Sequence, residues 1–479
     1  MLPPHGVIMN IRMACVSDGR VDAILGRARD LLLRVGVGVE DEKAEALLLE
    51  HGAMRSSDGR VRIPEDLVER SLGTLPGEVT LFDRNGEAAA HLGGSRCHFL
   101  PGSSALRILD PGGGERDARR EDLDRLARIV DGLDTFPVQS TSVVPGDVPR
   151  EAADRTRLYH ALRGCRKPVV TGTFREDGFD PMVRMLESVR GGQAALRDKP
   201  LAVFDCCPTP PLQWSRLTSS ALVGAASRGI PATVIPMPLA GATGPVTLEG
   251  SLVQIVAENL SGIVLAQCAA RGAPVIWGGC PTAFDMRRGT TPTGAPETML
   301  LNGASMAMAR KLGVPSHGYL ALSDSRLPDM QAGHETAMGA LAAALSGMNL
   351  AAGAGMLRFI ECLSLEKLVF DAAVCDAALR FVRGIAPHPE DDLEALFMEA
   401  IGGKGFLGMR HTRLHHREEL SAGDPLLDRS AAAEAPPALI ERCRETVGRL
   451  AGEEAESPLA PEAERELDRI LRFELERYS

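Results

Sequence analysis

The amino-acid sequence predicts an α/β protein whose core is a (β/α)₈ TIM barrel, with a helical extension before the barrel and helices after it. Between residues 97 and 360, short apolar runs alternate with amphipathic stretches of ten or more residues, the pattern of buried parallel strands joined by helices. The alternation occurs eight times, and eight such units in roughly 260 residues match the size of a barrel. No glycine-rich nucleotide-binding turn follows the first run, although an open doubly wound sheet usually carries one there.

Residues 1–90 are predicted to form the N-terminal helical extension. Apolar residues recur at helical spacing between residues 21 and 35, where Gly36 ends the helix, and a second helix begins at Glu42. The run Val79–Phe82 is strand-like and leads into the barrel.

Residues 91–362 are predicted to form the barrel itself. Its eight predicted strands are Cys97–Leu100, Phe136–Val144, Pro168–Gly172, Leu201–Asp205, Ala232–Pro236, Pro274–Gly278, His317–Ala321 and Asn349–Gly353. The predicted helices between them are Arg120–Leu133, Ala152–Arg163, Phe179–Val189, Trp214–Ser227, Leu248–Ala270, Glu297–Lys311 and Gln331–Leu345.

Two further regions follow the barrel. Residues 363–430 are predicted to be a C-terminal helical segment that packs on the barrel, and residues 431–479 a linker with a charged C-terminal helix. The sequence from 421 to 437 is rich in Ala, Pro and Asp, as exposed linkers are. The Glu/Arg pattern from Pro437 to Tyr478 is typical of one solvated or subunit-contacting helix.

Composition and charge narrow the class of function. The chain has 53 Lys and Arg against 64 Asp and Glu, a net charge of −11, which argues against nucleic acid or an anionic membrane as a partner. The first six residues lack a secretion signal, and no uninterrupted apolar stretch approaches about 18 residues. The ten cysteines are scattered, as expected for free thiols in a reducing compartment. We therefore expect a cytoplasmic protein.

Chemistry in a barrel enzyme lies at the carboxyl ends of the strands. After the fifth predicted strand comes a loop of small residues and prolines, which ends where Thr247 begins a helix. Backbone N–H groups at such a helix start can bind an anionic group. The same features also fit an ordinary tight connection.

A second polar loop follows the seventh predicted strand, from Leu322 to Glu335. It combines carboxylates, an amide and an imidazole, which suits a cation. Alternatively, Asp324 pairs with Arg326, and Asp329 caps the helix that begins near Gln331.

Several segments together resemble the trimethylamine methyltransferase superfamily. They are residues 238–250 (PLAGATGPVTLEG), 257–260 (AENL), 274–278 (PVIWG), 285–287 (DMR), 294–297 (GAPE) and 323–333 (SDSRLPDMQAG). The resemblance extends from the N-terminal helices to Gly405–Leu407 and His411–Thr412, leaving only the ends uncovered.

This resemblance implies a barrel enzyme that moves a methyl group from a methylated amine to the Co(I) corrinoid, a cobalamin, of a separate protein. Members acting on trimethylamine carry pyrrolysine in the loop that corresponds to Ser323–Asp329, where this chain has only standard residues. The resemblance therefore implies a quaternary amine, as in the glycine betaine branch, with no pyrrolysine and no metal of its own. We also expect a homo-oligomer, and a corrinoid carried by a partner because no DxHxxG pattern is present in this chain.

The chemistry of a quaternary ammonium agrees with this interpretation. Its leaving group is already a neutral tertiary amine, so attack by Co(I) needs positioning and charge complementarity but no general acid. Ordinary side chains supply both.

The site residues expected under this interpretation fall into three groups. The catalytic group is Glu249, Asp324 and Gln331. The substrate-binding group is Trp277, Phe204, Phe99, Tyr319, Arg326, His334 and His411, with Trp277 as first choice for a cation cage and Arg326 for a substrate carboxylate. The corrinoid-facing group is Gly241, Thr243, Gly244 and Thr247. From the sequence alone, Trp277 fits a core position between barrel and helix equally well.

Other functions remain open at this point. Cys206, Cys207 and Cys280 with His317 suggest a zinc-dependent thiol methyltransferase on the same barrel, although their spacing is not that of a zinc site. A Schiff-base aldolase fits less well, because Lys167 and Lys199 do not end predicted strands. A non-catalytic betaine-binding paralogue would keep the pocket without the reaction.

Overall fold

The computed structural model describes residues 12–420, 424–430, 436–452 and 459–478. Each of the eight predicted strands is present, and each lies inside its predicted range or extends at most one residue beyond it. We label these barrel strands β1 to β8. They are β1 (His98–Pro101), β2 (Gln139–Ser140), β3 (Val169–Thr171), β4 (Ala202–Cys206), β5 (Ala232–Val234), β6 (Val275–Trp277), β7 (His317–Tyr319) and β8 (Leu350–Ala354). The first six residues, where a secretion signal was considered, lie outside the described residues.

The eight strands close into a parallel barrel. Strands β2 to β6 form one sheet in chain order, and β8 lies between β7 and β1 in another. A parallel bridge between Trp277 and Ser316 joins β6 to β7, and a second between Ala105 and Val143 joins the end of β1 to the end of β2. The predicted barrel is therefore confirmed.

Helices surround the barrel and extend it at both ends. They are α1 (Asp18–Arg34), α2 (Glu42–Glu50), α3 (Glu65–Leu72), α4 (Arg120–Asp131), α5 (Ala153–Gly164), α6 (Phe179–Arg190), α7 (Gln193–Asp198), α8 (Arg216–Arg228), α9 (Leu248–Ala269), α10 (Pro296–Leu312), α11 (Met330–Ser346), α12 (Leu365–Val382), α13 (Leu393–Glu399), α14 (Arg410–Glu419), α15 (Leu439–Gly452) and α16 (Pro461–Glu476). Helix α12 follows β8 and packs against α11 and β8, so it is the last barrel helix, although the predicted boundary at residue 363 lies before it.

Short strands and turns complete the fold outside the barrel. The strand pairs are Gly38–Val39 with Gln213–Trp214, Met54–Arg55 with Val61–Arg62, Val79–Phe82 with Ala88–Leu92, Leu239–Ala240 with Thr282–Ala283, Arg107–Leu109 with Glu115–Asp117 and with Cys362–Leu363, and Cys362–Leu363 with Met356–Leu357. Single 3₁₀ turns lie at Arg150–Ala152 and Phe406–Gly408, and a π-helical turn at Ala400–Lys404.

Helix α9 is the longest helix of this set and is largely buried. It is long and apolar enough to cross a membrane by length and composition, but 94% of its apolar window is buried inside the protein. Helices α1, α3, α8 and α10 pack around it. Its composition therefore follows from its place in the core, and the N-terminal extension serves to cover it.

The C-terminal region differs from its prediction. Two helices, α15 and α16, stand where one was expected, and both pack on the barrel. Helix α15 contacts α4 and α12, whereas α16 contacts α5 and α6 and buries Leu467 and Ile470. Helix α16 is thus an integral part of the barrel's outer layer rather than a solvated tail. Of the predicted linker, residues 421–423 and 431–435 lie outside the described residues.

Candidate active site

Side chains from β4 and β7 meet at the carboxyl end of the barrel. The Tyr319 hydroxyl donates a hydrogen bond of 3.1 Å to Oδ2 of Asp205. His317 stands two residues before Tyr319, on the same face of β7, and their rings stack with centroids 5.4 Å apart. Its Nδ1 lies 3.5 Å from Oδ1 of Asp205. Burial and the charge of Asp205 raise the pKa of Tyr319 well above its usual value, so its hydroxyl stays protonated and donates.

Arg157 of α5 contributes a buried positive charge next to these residues. Its Nη2 donates to Oγ of Ser104 at 2.8 Å and to the carbonyl of Thr141. The guanidinium carbon lies 4.7 Å from the centre of the Phe174 ring. Burial lowers the pKa of Arg157 to about 10, while the charge of Asp154 and, less strongly, that of Asp205 oppose this shift. Arg157 therefore stays protonated at neutral pH.

Asp154 of α5 holds the backbone of Phe174 in place. Oδ2 of this carboxylate accepts hydrogen bonds from the Phe174 backbone N–H at 2.8 Å and from Oγ1 of Thr173 at 2.9 Å. The loop after β3 is thus fastened to the helix that carries Arg157. Phe174 remains 39% exposed, so one side of its ring is open to a ligand.

We call Arg157, Phe174, Asp205, His317 and Tyr319 the mouth cluster. Several of its buried polar atoms have no hydrogen-bond partner among the described residues: Nε and Nη1 of Arg157, Oδ1 of Asp205, and both ring nitrogens of His317. Such atoms are costly in a folded protein unless a ligand or water satisfies them. The cluster therefore presents a positive and a negative group that do not neutralise each other by direct contact.

The thiols near the mouth cluster do not form a metal site. Burial raises the pKa of Cys280 to about 12 and that of Cys207 even further, so both thiols are neutral as long as no metal is bound. Across the described ranges, the one group of three potential ligands whose coordinating atoms lie close together is elsewhere, in the C-terminal helices. Cys206, Cys207, Cys280 and His317 thus do not assemble the ligand set that a zinc-dependent thiol methyltransferase needs.

Asp324 joins two loops at the same end of the barrel. Its Oδ1 accepts hydrogen bonds from the backbone N–H and the hydroxyl of Thr293, at 2.9 and 2.5 Å, and its Oδ2 accepts from the Gly294 N–H at 2.9 Å. Burial raises the pKa of Asp324. The predicted pairing with Arg326 is absent among the contacts of the described residues, and Arg326 is exposed. The three hydrogen bonds of Asp324 hold the loop after β6 to the loop after β7.

Gln331 and His334 lie beside Asp324, in a cavity of about 360 Å³ between these loops. Gln331 donates a 2.9 Å hydrogen bond to Oε1 of Glu335, whose Oε2 accepts from Oγ of Ser323 at 2.6 Å. The alternative role predicted for Asp329 holds, since it caps α11 by accepting the Ala332 N–H at 3.0 Å. The structure therefore brings together Asp324, Gln331 and His334 as predicted, beside Glu335.

The predicted aromatic residues have different positions. The indole N–H of Trp277 donates to Oγ of Ser305 on α10 at 2.9 Å, so this ring fills the layer between barrel and helix. The ring of Phe204 packs 4.9 Å from that of Phe179 on α6. Phe99 is fully buried in β1. Of these four aromatic residues, Tyr319 belongs to the mouth cluster, whereas Trp277 lies outside it.

Glu249 lies in the first turn of α9 and faces the N-terminal extension. Its carboxylate pairs with Arg27 at 2.6 Å and with Arg20, both on α1. The hydrogen bond and charge of Arg20 lower the pKa of Glu249. This contact fastens α1 to α9 and leaves the carboxylate already neutralised by two arginines. His411 lies in the C-terminal helices, where it contacts Asp391 at 3.0 Å.

The residues predicted to face a corrinoid form a turn after β5. Gly241 has φ +100, a left-handed conformation that favours glycine, and its N–H donates to the Gly244 carbonyl at 3.0 Å. Oγ1 of Thr243 accepts the Leu239 N–H at 2.9 Å, and Thr247 is exposed at the N-cap of α9. Exposed apolar side chains border this turn and the next two loops: Met237, Val246, Met286, Leu327 and Met330. We call these five residues the apolar rim.

Arg157, Asp205 and His317 were not predicted from the sequence to belong to the proposed site. Asp205 was noted only as a strand end, and His317 only as a zinc ligand. The sequence contained one indication that Arg157 is buried. The segment from Ala153 to Leu162 carries charged residues all around the predicted helix instead of on one face. In the structure every residue of this segment is buried, so its charges face partners inside the protein.

Comparisons with known proteins give a consistent picture. The family model described as trimethylamine methyltransferase (MTTB) matches residues 5–435. The chain is 31% identical over 421 residues to the trimethylamine methyltransferase MttB of Desulfitobacterium hafniense (strain DSM 10664 / DCB-2), covering 87% of this chain and 84% of that protein. It is 30% identical over 434 residues to the glycine betaine methyltransferase of Desulfitobacterium hafniense (strain Y51), covering 90% and 88%.

A solved structure shares the fold. The monomethylamine methyltransferase (MtmB) of Methanosarcina barkeri superposes with a TM-score of 0.52 and 10% identity, covering 96% of this chain and 87% of that chain. Similarity of sequence and fold thus extends over nearly the whole molecule.

Proposed function

The chain belongs to the trimethylamine methyltransferase family and is a methyltransferase, and on this premise we propose that it acts on a small quaternary amine carrying a carboxylate, of the glycine betaine kind. The methyl group passes to the Co(I) corrinoid of a separate protein. The observation that carries the substrate class is the pair of unneutralised charges, Arg157 and Asp205, in the mouth cluster.

A betaine is a zwitterion, and the mouth cluster offers one group for each of its charges. Arg157 keeps free N–H donors at Nε and Nη1, which a carboxylate would accept as charge-assisted hydrogen bonds. Oδ1 of Asp205 has no hydrogen-bond partner, and Nδ1 of His317 lies 3.5 Å from it. Because Arg157 and Asp205 are not directly paired with each other, no ion pair has to break when the substrate binds.

A quaternary ammonium has no N–H to donate, so it is recognised by charge and by aromatic faces. Asp205 supplies the charge, Tyr319 supplies a ring beside it, and Phe174 supplies a second, partly exposed ring next to Arg157. Such cation–π contacts contribute about 2 kcal/mol when the cation is desolvated. Phe174 and Tyr319 thus take the role that was predicted for Trp277.

The methyl transfer itself needs no proton from the enzyme. The nucleophile donates an electron pair to the methyl carbon, the C–N bond breaks, and its electrons stay on nitrogen to give a neutral tertiary amine. The protein's part is to hold the ammonium with one methyl group directed out of the barrel mouth. Tyr319 and Arg157, both protonated at neutral pH, serve as fixed donors, and no step requires either to lose its proton.

The methyl acceptor is the second substrate, and the apolar rim suits its approach. Val246 and Met286, 65% and 63% exposed, both lie next to Gly241, and exposed apolar side chains that cluster generally mark an interaction surface. The rim borders the turn containing Gly241, Thr243, Gly244 and Thr247, which we propose faces the corrinoid. Docking of the partner there would cover the mouth cluster and exclude water from it.

The proposed reaction requires a reducing cellular compartment. Co(I) survives only under strongly reducing conditions, and all ten cysteines of the chain are free. We therefore place the reaction in the cytoplasm.

The proposal is tested with the purified protein and free cob(I)alamin as acceptor, following methylcobalamin by its visible absorbance. The substrates are glycine betaine, choline, which lacks the carboxylate, and trimethylamine, which lacks the fourth substituent. We expect turnover with glycine betaine and at least about 10-fold lower kcat/KM with choline, because the contact with Arg157 is lost. Trimethylamine turnover equal to that of betaine would overturn the proposal, and betaine binding without methyl transfer would indicate a non-catalytic paralogue.

Arg157→Gln is the matching variant. We expect it to lower kcat/KM for glycine betaine by about 10- to 100-fold, the effect of losing a charged hydrogen bond, and to leave choline turnover nearly unchanged. Arg163→Gln is the control, since Arg163 lies on the same helix but is half exposed and pairs with Glu464 at the surface. An equal decrease in kcat/KM for glycine betaine and choline would show that Arg157 does not bind the substrate carboxylate.

A further inference from the structure

The C-terminal helices contain a group of potential metal ligands that is separate from the mouth cluster. We propose that Asp391, His411 and His415 bind one divalent transition-metal ion of the Zn²⁺ class. One coordinating atom from each of these residues lies within 4.8 Å of the others. This inference concerns a different part of the molecule and does not depend on the proposed substrate.

Two of the ligands come from one face of α14. His411 and His415 are four residues apart, so their side chains project from the same side of the helix, and their ring centroids are 4.7 Å apart. The same spacing places two histidines on a single zinc ion in helical metal sites. Both rings are half-buried, so the space between them is partly shielded from solvent.

The third ligand comes from the segment between α12 and α13. Oδ2 of Asp391 lies 3.0 Å from Nε2 of His411. Asp391 and His411 thus bring an oxygen and a nitrogen, both atom types that bind divalent transition metals, to one point between the segment and α14. A metal ion would take the place of this direct contact between Asp391 and His411.

His388 and Glu419 form a supporting layer around these three residues. The ring of His388 packs 4.9 Å from that of His415, and its Nε2 contacts Oε1 of Glu419 at 2.8 Å. The His388 ring, itself held by Glu419, limits how far the His415 ring can turn. The donor set of two imidazoles and one carboxylate suits Zn²⁺, and three protein ligands leave its fourth position for water.

The position of Asp391, His411 and His415 suggests a structural role for the metal ion. Helices α13 and α14 bury none of their side chains, and Leu393, Phe397 and Leu414 are more than half exposed. Two short helices without a buried face gain little stability from packing. A metal ion joining Asp391 to α14 would supply the missing cross-link, as structural metals do in small elements with little core.

From the sequence we expected no metal, and the structure does not test that expectation. The available signal was the spacing His411-x-x-x-His415 within an otherwise polar segment. Without Asp391, which is 20 residues away in sequence, the spacing alone is weak.

The test uses the full-length, untagged protein, because a polyhistidine tag would itself bind metal. The protein is stripped with a chelator and titrated with Zn²⁺ by calorimetry, and with Co²⁺ by its visible absorption, which reports nitrogen and oxygen ligation. We expect one equivalent of metal bound. Asp391→Asn keeps the shape of the side chain and should weaken binding by at least about 10-fold, and His415→Ala by more. The variants are compared by circular dichroism, so that loss of fold is distinguished from loss of ligand.

His416→Ala is the matched control. His416 is the next residue on α14 and is exposed, and its Nδ1 contacts the Thr412 carbonyl within its own helix at 3.1 Å. We expect this variant to bind metal as the unmodified protein does, and Zn²⁺ to protect residues 385–420 from proteolysis in both. Absence of stoichiometric binding, or equal loss in His416→Ala and His415→Ala, would overturn the proposal.

Discussion

At the scale of single residues, burial in this fold changes the pKa of a carboxyl group. Glu258 on α9 is fully buried, and Oε1 accepts hydrogen bonds from the Leu212 N–H at 2.8 Å and from Gln254 at 3.0 Å. Burial raises its pKa from 4.5 to about 7 in spite of these donors. Glu258 therefore carries a proton in the folded protein at mildly acidic pH, whereas the unfolded chain has lost it.

This difference predicts how stability changes with pH. Because the folded state holds the proton more tightly, the contribution of Glu258 to the free energy of unfolding is complete below pH 4.5 and is lost as pH rises to about 7. The loss amounts to roughly 3 kcal/mol, from the shift in pKa. Glu258→Gln has no such titration, so urea unfolding at pH 5 and pH 8 should show it gaining stability relative to the unmodified protein at the higher pH.

The control for this prediction is an exposed carboxylate. Glu50→Gln, at the exposed end of α2, should track the unmodified protein at both pH values. Parallel behaviour of Glu258→Gln and Glu50→Gln would mean that Glu258 is not the group responsible.

At the scale of elements, the loops after β6 and β7 behave as one unit because Asp324 joins them. Its carboxylate satisfies two backbone N–H groups and one hydroxyl. From the sequence we expected Asp324 to be catalytic, and that role stays a prediction. The contacts favour a positioning role, in which the loop shape matters more than the negative charge.

Two substitutions distinguish these roles. Asp324→Ala leaves the N–H groups of Thr293 and Gly294 without their acceptor, and we expect a loss of about 1–3 kcal/mol of stability and lower activity. Asp324→Asn keeps one acceptor oxygen and should retain most of kcat with a higher KM, if Asp324 positions the loops. A complete loss of kcat in a folded Asp324→Asn would instead indicate a catalytic charge. Thr293→Val, which removes only the hydroxyl, should have the mildest effect.

At the scale of the whole molecule, α16 closes the outer layer around α5 and α6. Glu474 of α16 is 1% exposed and lies 3.2 Å from Nε of Arg155, which is completely buried and also pairs with Asp154 and Asp177. The last helix thus completes an ion-pair network on α5, the helix that also carries Arg157. At least one charged residue of α16, Glu474, therefore belongs to this buried network.

Removing one partner from a buried ion pair is costly. Glu474→Gln should lower the free energy of unfolding by about 3 kcal/mol, measured by urea unfolding, because the buried Arg155 loses part of its compensation. Glu476→Gln, two residues away on the exposed face of α16, should change it little. Equal effects of the two substitutions would show that α16 does not contribute through Arg155.

The sequence predicted the architecture well, because the pattern that signals a buried parallel strand is local. All eight barrel strands were placed from short apolar runs, since a strand covered on both faces must be apolar along its whole length. The loops proposed to carry the site were chosen because they follow the strand ends. The number of C-terminal helices was wrong, because the continuous Glu/Arg pattern outweighed two available signals, Gly452 at the end of α15 and Pro461 at the start of α16.

The sequence by itself therefore determined the family, the barrel and the loops at its mouth, and the tertiary structure decided which charges stay unpaired there. Asp205 and Tyr319 are 114 residues apart, and Arg157 lies on a helix rather than at a strand end. Glu249 and Trp277 are plausible site residues in sequence, yet one is neutralised by α1 and the other is packed against α10. The direction and partner of a side chain depend on the elements packed around it, and no local pattern carries that information.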